Sequence, residues 1–462
     1  MAITSVHPDY SAHAVRWERN RRACAGQDAV KQAATKFLPD DQEGDASNEA
    51  RRRYMRYLER AVWMPVAGYT KNGLLGMVYR KPPQIKVPSQ LEYMLENADG
   101  AGIGLEQFSK MLLAECIEVG RVGVLAEYPQ AEEGLSQEAV QAMNLQARLA
   151  LYRAEAVDHW KFQMIGGVLK LAMVKLCEVE EVEVDEFVGQ QETRYRVLRL
   201  EDGVYTQTVY DDQGQVVAGP FIPRQSNGAA WDHIPFQFIG AETNRPEVDD
   251  AVISGVVDLN VQHYQVSADE AKNLHIHSGG TLVISSELSV PQWTAANPNG
   301  VTVGADQGLF IGTNGRAELL QLEPAQATSE KLKRLEEQML SIGAHLITPS
   351  EQETAEAARL DASAKSCALS VTADNVQSAM VMALQDCALF MGGNPDGIEF
   401  ELNRAYYPVT MTAQEAMAQI QLMDRGVIAK KDLRDNLRKA GQVSRSDEEI
   451  DAEAEDVTLG AV

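Results

Sequence analysis

An α+β fold is predicted for this chain of 462 residues, and three observations predict it. Between residues 250 and 391, three long segments have helical periodicity, parted by a β-rich insertion and by one short polar break. From Val122 onward, apolar runs alternate with glycine turns in the manner of antiparallel hairpins. At both ends of the chain, up to about residue 80 and again over 412–440, the pattern is helical.

Within the first of these regions, 49–62 carries Arg51, Arg52, Arg53, Arg56 and Arg60 around Tyr54, Leu58 and Ala61. One face can pack while the other is cationic and suits solvent, nucleic acid or an acidic neighbouring subunit; a solvated face is the simplest reading. Lys81-Pro82-Pro83 breaks the pattern and starts an extended piece through Val87. Helices are expected near 89–97 and 105–119, then a strand over 122–128, then a helix at about 137–152. Gly166-Gly167 joins strands at 160–165 and 168–176 as a hairpin, and Asp202-Gly203 and Gln213-Gly214 mark two further turns. Across 178–186 acids partly alternate with valines, which predicts a half-buried strand with a charged outer face.

The first long helix, 250–274, has Ile253, Val256, Val257, Leu259, Val261, Tyr264, Val266 and Leu274 as its apolar positions. At 1.5 Å per residue it spans roughly 37 Å. Strands at 281–285 and 301–311 follow, around a loop with Trp293, Pro298 and Gly300. In the second helix Leu332, Leu335, Met339, Ile342 and Leu346 recur at spacings of three and four, while Lys331, Lys333, Arg334, Glu336 and Glu337 take the other faces. The break is Thr348-Pro349-Ser350-Glu351-Gln352, where proline cannot donate the helical hydrogen bond; the helix restarts around Glu353 and runs to Met391, before Gly392-Gly393-Asn394-Pro395. A strand at 398–402 and helices over 412–440 complete the ordered chain.

The formal charge of −25 excludes a protein that grips nucleic acid over its whole surface, because counterion release needs clustered Lys and Arg. An acidic wall can still surround a duplex that must slide. Residues 444–462 hold seven acids against Arg445 and read as disordered. Apolar residues, 45% of the chain, are enough for a substantial core, yet no run of 18 spans a bilayer and the first residues lack a secretion signal. Five cysteines without CxxC spacing fit a reducing compartment.

Chemistry-bearing constellations are sparse. His275 and His277 could ligate a metal from one side of a strand, but no third ligand follows at a sensible spacing. Gly100-Ala101-Gly102-Ile103-Gly104 precedes a helix without the strand that a dinucleotide site needs, so a loop is expected. Ser363-Ala364-Lys365-Ser366 does not match SxxK, and neither GxSxG nor a P-loop occurs, which argues against both a hydrolase and an ATP-driven motor. Carboxylates at 178–186 could bind a divalent cation, although alternation alone explains them. No catalytic residue, metal site or cofactor is expected.

Several stretches in order carry a family resemblance: Arg21-Arg22-Ala23-Cys24-Ala25-Gly26 with Phe37-Leu38-Pro39, Gly120-Arg121-Val122-Gly123-Val124-Leu125, Leu259-Asn260-Val261-Gln262-His263-Tyr264, Gly304-Ala305-Asp306-Gln307-Gly308-Leu309, and Ser341-Ile342-Gly343-Ala344-His345-Leu346 followed by Glu353-Thr354-Ala355. Together they resemble the portal proteins of tailed bacteriophages, in a branch long catalogued as a domain of unknown function. Gly279-Gly280-Thr281-Leu282 departs from that pattern, which has a proline before the strand.

The resemblance implies a wing over 1–249, stem helices at 250–274 and 324–347, a clip at 275–323, a tunnel loop and long helix at 348–391, a wing return at 392–411 and a crown at 412–443, ahead of the acidic tail. It implies a ring of twelve copies at one capsid vertex of the virion, assembled in the host cytoplasm. That ring would be lined by His345, Thr348, Pro349, Ser350, Glu351, Gln352 and Glu353, with stems packed through Leu332, Leu335, Met339, Ile342 and Leu346. Implied partners are the terminase motor at the clip, head-tail adaptor proteins, the major capsid protein and double-stranded DNA in transit, with no membrane. A capsid-associated adaptor or scaffold without a channel is the alternative, and an α+β hydrolase would need a triad that the sequence does not offer.

Overall fold

The computed structural model describes residues 3–40, 47–129, 145–185, 188–278, 281–298, 310–320, 326–345, 367–404, 406, 413–439, 447 and 450. Helix α1 (Pro8–Ala25) starts on a proline, whose missing N–H costs nothing in a first turn, and His7 Nδ1 accepts from the Asp9 N–H. Then come α2 (Gln27–Ala33), α3 (Asn48–Arg60) and α4 (Val66–Val78). The Ser47 hydroxyl caps α3 by accepting from the Ala50 N–H at 3.1 Å. After Lys81-Pro82-Pro83 the chain is extended, as expected, and forms β1 (Gln84–Lys86). A 3-10 helix over Ser89–Leu95 leads to α5 (Leu105–Val119).

Gly120 closes α5 at φ 82° and turns the chain directly into β2 (Arg121–Glu127). A side chain there would meet strain twice, since φ is positive and a Cβ would overlap the Asp249 carbonyl. Strands β3 (Arg148–Arg153), β2 and, later in the chain, Phe236–Gly240 form an antiparallel sheet in that order. The helix expected at 137–152 is therefore corrected over 148–153; its first part lies outside the described residues. Arg, Leu and Ala there are good helix formers, but edge pairing of Leu149 and Leu151 with β2 overrides local propensity.

A five-stranded antiparallel meander comprises β4 (Val157–Ile165), β5 (Val168–Asp185), β6 (Val188–Glu201), β7 (Val204–Tyr210) and β8 (Val216–Phe221). Both expected hairpin turns have two left-handed residues, Gly166 and Gly167 at φ 60° and 83°, and Asp202 and Gly203 at 49° and 80°. β4 pairs with β5 only as far as Leu176, and β7 with β6 only from Tyr195. The rest of the β5–β6 pair is a two-stranded arm beyond the sheet. This corrects in part the half-buried strand expected at 178–186: Val179 is 64% exposed, while Glu178 and Val182 are half-buried.

Phe236–Gly240 is β9, and a long helix α6 (Ser254–Ser278) follows. Next are β10 (Thr281–Ser285), α7 (Val290–Ala296), β11 (Arg316–Leu320), α8 (Gln326–His345), α9 (Ala368–Met391), β12 (Glu399–Glu401), α10 (Ala413–Asp424) and α11 (Lys430–Lys439). The return strand pairs with the N-terminal region, β12 antiparallel to β1. Helix α9 ends on Gly392 in the left-handed conformation, φ 71°, as its sequence predicts. More than half of its 24 residues are buried, and it packs against α5, β2 and β9 in the middle of the principal core. Helices and antiparallel sheets thus alternate as blocks around one core, an α+β fold. All five cysteines are free, with Cys116, Cys367 and Cys387 buried.

Candidate functional site

The segment richest in sequence signals folds as an antiparallel helix pair, α6 and α8. Ile342 faces Gly255, His263 Nε2 lies 3.4 Å from Glu336 Oε1, and Ser329 Oγ donates to Glu270 Oε1 at 2.6 Å. As one number rises the other falls, which fixes opposed directions. Leu332, Leu335 and Met339 of the expected stripe are buried, Ile342 is half-buried, and Leu346 lies outside the described residues. The charged faces stay in water, so one stripe holds the pair. Helix α6 starts at Ser254 and not at Asp250, because Asp250 pairs with Arg16 and the Ile253 N–H bonds to the Ile117 carbonyl of α5 instead of to a carbonyl of its own segment. Leu274, expected in the apolar set, is 63% exposed.

Of the expected channel lining, His345 is the last residue of α8. Thr348, Pro349, Ser350, Glu351, Gln352 and Glu353 lie outside the described residues, as does the expected restart of the helix.

Between α6 and α8 the insertion packs mainly on itself. The expected strand at 281–285 is present, but its partner is β11, in register from Thr281–Leu320 to Ser285–Arg316. Of the strand expected at 301–311, residues 301–309 lie outside the described residues, and Phe310 and Ile311 are coil. Asn297 holds Phe310 in place by donating to its carbonyl at 3.0 Å and accepting from its N–H at 3.2 Å. That bond replaces strand pairing. The Trp293 loop contains α7, capped by reciprocal bonds between Ser289 and Gln292.

His275 and His277 both fall within α6, not on a strand. His275 Nε2 lies 3.0 Å from an Arg60 nitrogen. Among the described residues no cluster of His, Cys, Asp and Glu could hold a metal, and no helix is long and apolar enough to cross a membrane. Three N–H groups of the glycine loop are occupied from within: Asp99 Oδ1 accepts from Ala101 and Ile103, and Asn97 Oδ1 from Gly102. These bonds leave few donors there for a phosphate.

Two charged centres were not anticipated from the sequence. Arg21 of α1 reaches Glu115 at 2.6 Å, Glu155 at 2.8 Å and Glu118 at 3.8 Å, and Lys71 of α4 reaches Glu118 at 2.8 Å. Burial opposes the Arg21 charge, but the hydrogen bonds to Glu155 and Glu115 outweigh it and raise its pKa above the ordinary value. The available signal was Glu115 and Glu118, three apart on an otherwise apolar helix, which places both on one inward face. Arg121 has its guanidinium 4.0 Å from the Trp160 ring centre and 4.1 Å from that of Phe238. Burial pulls its pKa down to about 9, and neither terminal nitrogen has a hydrogen-bond partner, so the two ring faces are its closest compensation. Nothing in the sequence spacing links residues 121, 160 and 238.

A family described as a domain of unknown function (DUF4055) matches residues 253–391, which run from α6 to the end of α9. No curated protein matches the sequence. Among solved structures, a chain from the neck of a native GTA particle computed with C12 symmetry is 14% identical, with a TM-score of 0.40 and coverage of 81% of this chain and 89% of that one. A chain from the neck of an empty GTA particle computed with C6 symmetry is 13% identical, with a TM-score of 0.37 and coverage of 83% and 91%.

Proposed function

We propose that this chain is a structural, non-enzymatic portal-type subunit. Twelve copies close into a ring at one capsid vertex, pass double-stranded DNA inward and outward, and join head to tail. The observation that carries this reading is the antiparallel pair α6 and α8, held by a single apolar stripe, with a self-contained β unit between the two helices and the buried helix α9 following them. Such a pair is a spoke: one end is fixed in the core and the sides are polar.

In this reading α6 and α8 are the stem, 275–323 is the clip for the terminase motor and adaptor proteins, and His345 with 348–353 lines the narrowest part of the channel. Exposed apolar side chains in the insertion, Val290 at 79% and Phe310 at 60%, suit protein docking. A net charge of −25 per copy disfavours a tight grip on the duplex and so favours its passage.

The test is direct imaging with a mass measurement. Class averages of negatively stained protein should show annuli, and mass photometry should give several hundred kilodaltons. Monomers or dimers alone, across a range of salt concentrations, would overturn the proposal.

A further inference from the structure

We propose that the cationic face of α3 is an interface between copies of this chain, occupied by the acidic β5–β6 arm of the next copy. This rests on the ring reading and adds a contact that closes it.

The helix is held rigidly from behind. Leu58 and Ala61 are buried, and the Tyr57 hydroxyl donates to Asp269 of α6 at 2.5 Å. Its outer arc presents Arg52 and Arg56, both exposed and neither paired with an acid among the described residues. Several other arginines do find carboxylates, as Arg148 does with Glu127 at 2.7 Å and Arg404 with Asp374 at 2.5 Å. A cationic stripe without a partner acid among the described residues, on a chain of charge −25, is therefore suited to an external anion. Arg51, Arg52 and Arg56, offset by Glu49 and Glu59 on the same helix, neutralise only about three phosphates, too few to hold a duplex against that field. The surface of a second copy supplies carboxylates instead.

The arm is the element that offers them. From Glu178 to Asp185 it runs eight residues, about 26 Å, beyond the last strand that flanks it. A two-stranded ribbon on its own is marginal in water, so an arm of this length needs a surface to lie on. One face carries Val179, 64% exposed, with Glu181 and Glu183, both exposed and without a cation among the described residues. The spacings match. Two residues along a strand separate Glu181 from Glu183 by about 6.8 Å, and one helical turn separates Arg52 from Arg56 by about 6 Å. Arm and helix are different surfaces of one subunit, so their contact is head-to-tail, the kind that closes into a ring.

The experiment is a charge swap in the full chain: Arg52→Glu with Arg56→Glu, Glu181→Arg with Glu183→Arg, and all four together. Mass photometry over a salt series reads the ring fraction, and thermal melts of each variant report folding. A milder pair, Glu181→Gln with Glu183→Gln, serves if a reversal fails to fold. Each reversal should lower the ring fraction at least tenfold at low salt, and the fourfold variant should restore most of it.

Unaltered rings in the two reversals would overturn this contact while leaving the ring reading standing. Loss in both without rescue would also overturn it as a pair. A wild-type protein that is never a ring overturns both readings. If Arg52→Glu with Arg56→Glu leaves rings intact but abolishes gel retardation of duplex DNA, the face belongs to nucleic acid and the proposal fails.

Discussion

His233 Nε2 stands 3.1 Å from Asp386 Oδ1 while its Nδ1 stands 2.9 Å from Asp232 Oδ1, so one imidazole ties the loop before β9 to the buried helix α9. The hydrogen bond to Asp386, helped by Asp232 against the opposing effect of burial, pushes the pKa of His233 up to about 9. Burial pushes the Asp386 carboxyl upward, and the hydrogen bond and charge of the imidazole act against that rise.

A pH dependence follows. Between about 6.5, the unfolded value, and about 9 the folded chain holds a proton that the unfolded chain lacks, so stability is full below this window and lost as pH rises through it. With the ring 38% exposed, solvent screening reduces the effect to about 1–2 kcal/mol. Urea midpoints at pH 6 and pH 9.5 should differ accordingly, and His233→Gln should remove most of that difference.

Arg21→Ala should be among the most damaging single changes in the helical region. It leaves Glu115, 8% exposed, with only Arg153 at 3.4 Å and Glu118, 8% exposed, with only Lys71 at 2.8 Å, a loss of about 2 kcal/mol. Arg21→Lys should recover only part of it, since one ammonium cannot reproduce the forked contacts with Glu115 and Glu155. Denaturant midpoints of the three proteins check the order.

Arg121→Met is expected to be neutral or to stabilise by about 1 kcal/mol, because it exchanges a buried, hydrogen-bond-free guanidinium for an apolar chain of similar length. Trp160→Leu with Arg121 in place should destabilise by about 2 kcal/mol or more, since it removes a ring face from the charge and opens a void. If Arg121→Met proves as damaging as Trp160→Leu, the guanidinium has a partner that the folded chain supplies by another route.

Replacing Thr348 through Gln352 with two glycines should leave the ring assembled and impair packaging or retention of DNA. The stripe at Leu332, Leu335 and Met339, which holds α8 to α6, is untouched by the change. A variant that fails to assemble would make this segment a packing element. One that packages normally would place the constriction elsewhere.

The parts of the fold legible in the sequence were those fixed by short-range physics. The stripe of α8, the two hairpin turns and the Gly392 stop of α9 each need only a few consecutive residues to specify them. Long-range pairing was not legible. Leu149 and Leu151 read as helix until β2 lies beside them, and β11 is the strand that pairs with β10 although 301–311 has the more apolar sequence. The charged centres were hidden for the same reason: Arg21, Glu115 and Glu155 are brought together from separate elements, and only the Glu115 and Glu118 spacing left a trace.

The overhanging arm has one more consequence, for crowding. Bare strand edges ordinarily recruit other bare edges when copies of a chain meet. Two arms meeting side by side would bring the Glu181 and Glu183 carboxylates of both into one small region, and that repulsion disfavours mutual strand addition. The acids thus shield each arm from pairing with its own kind.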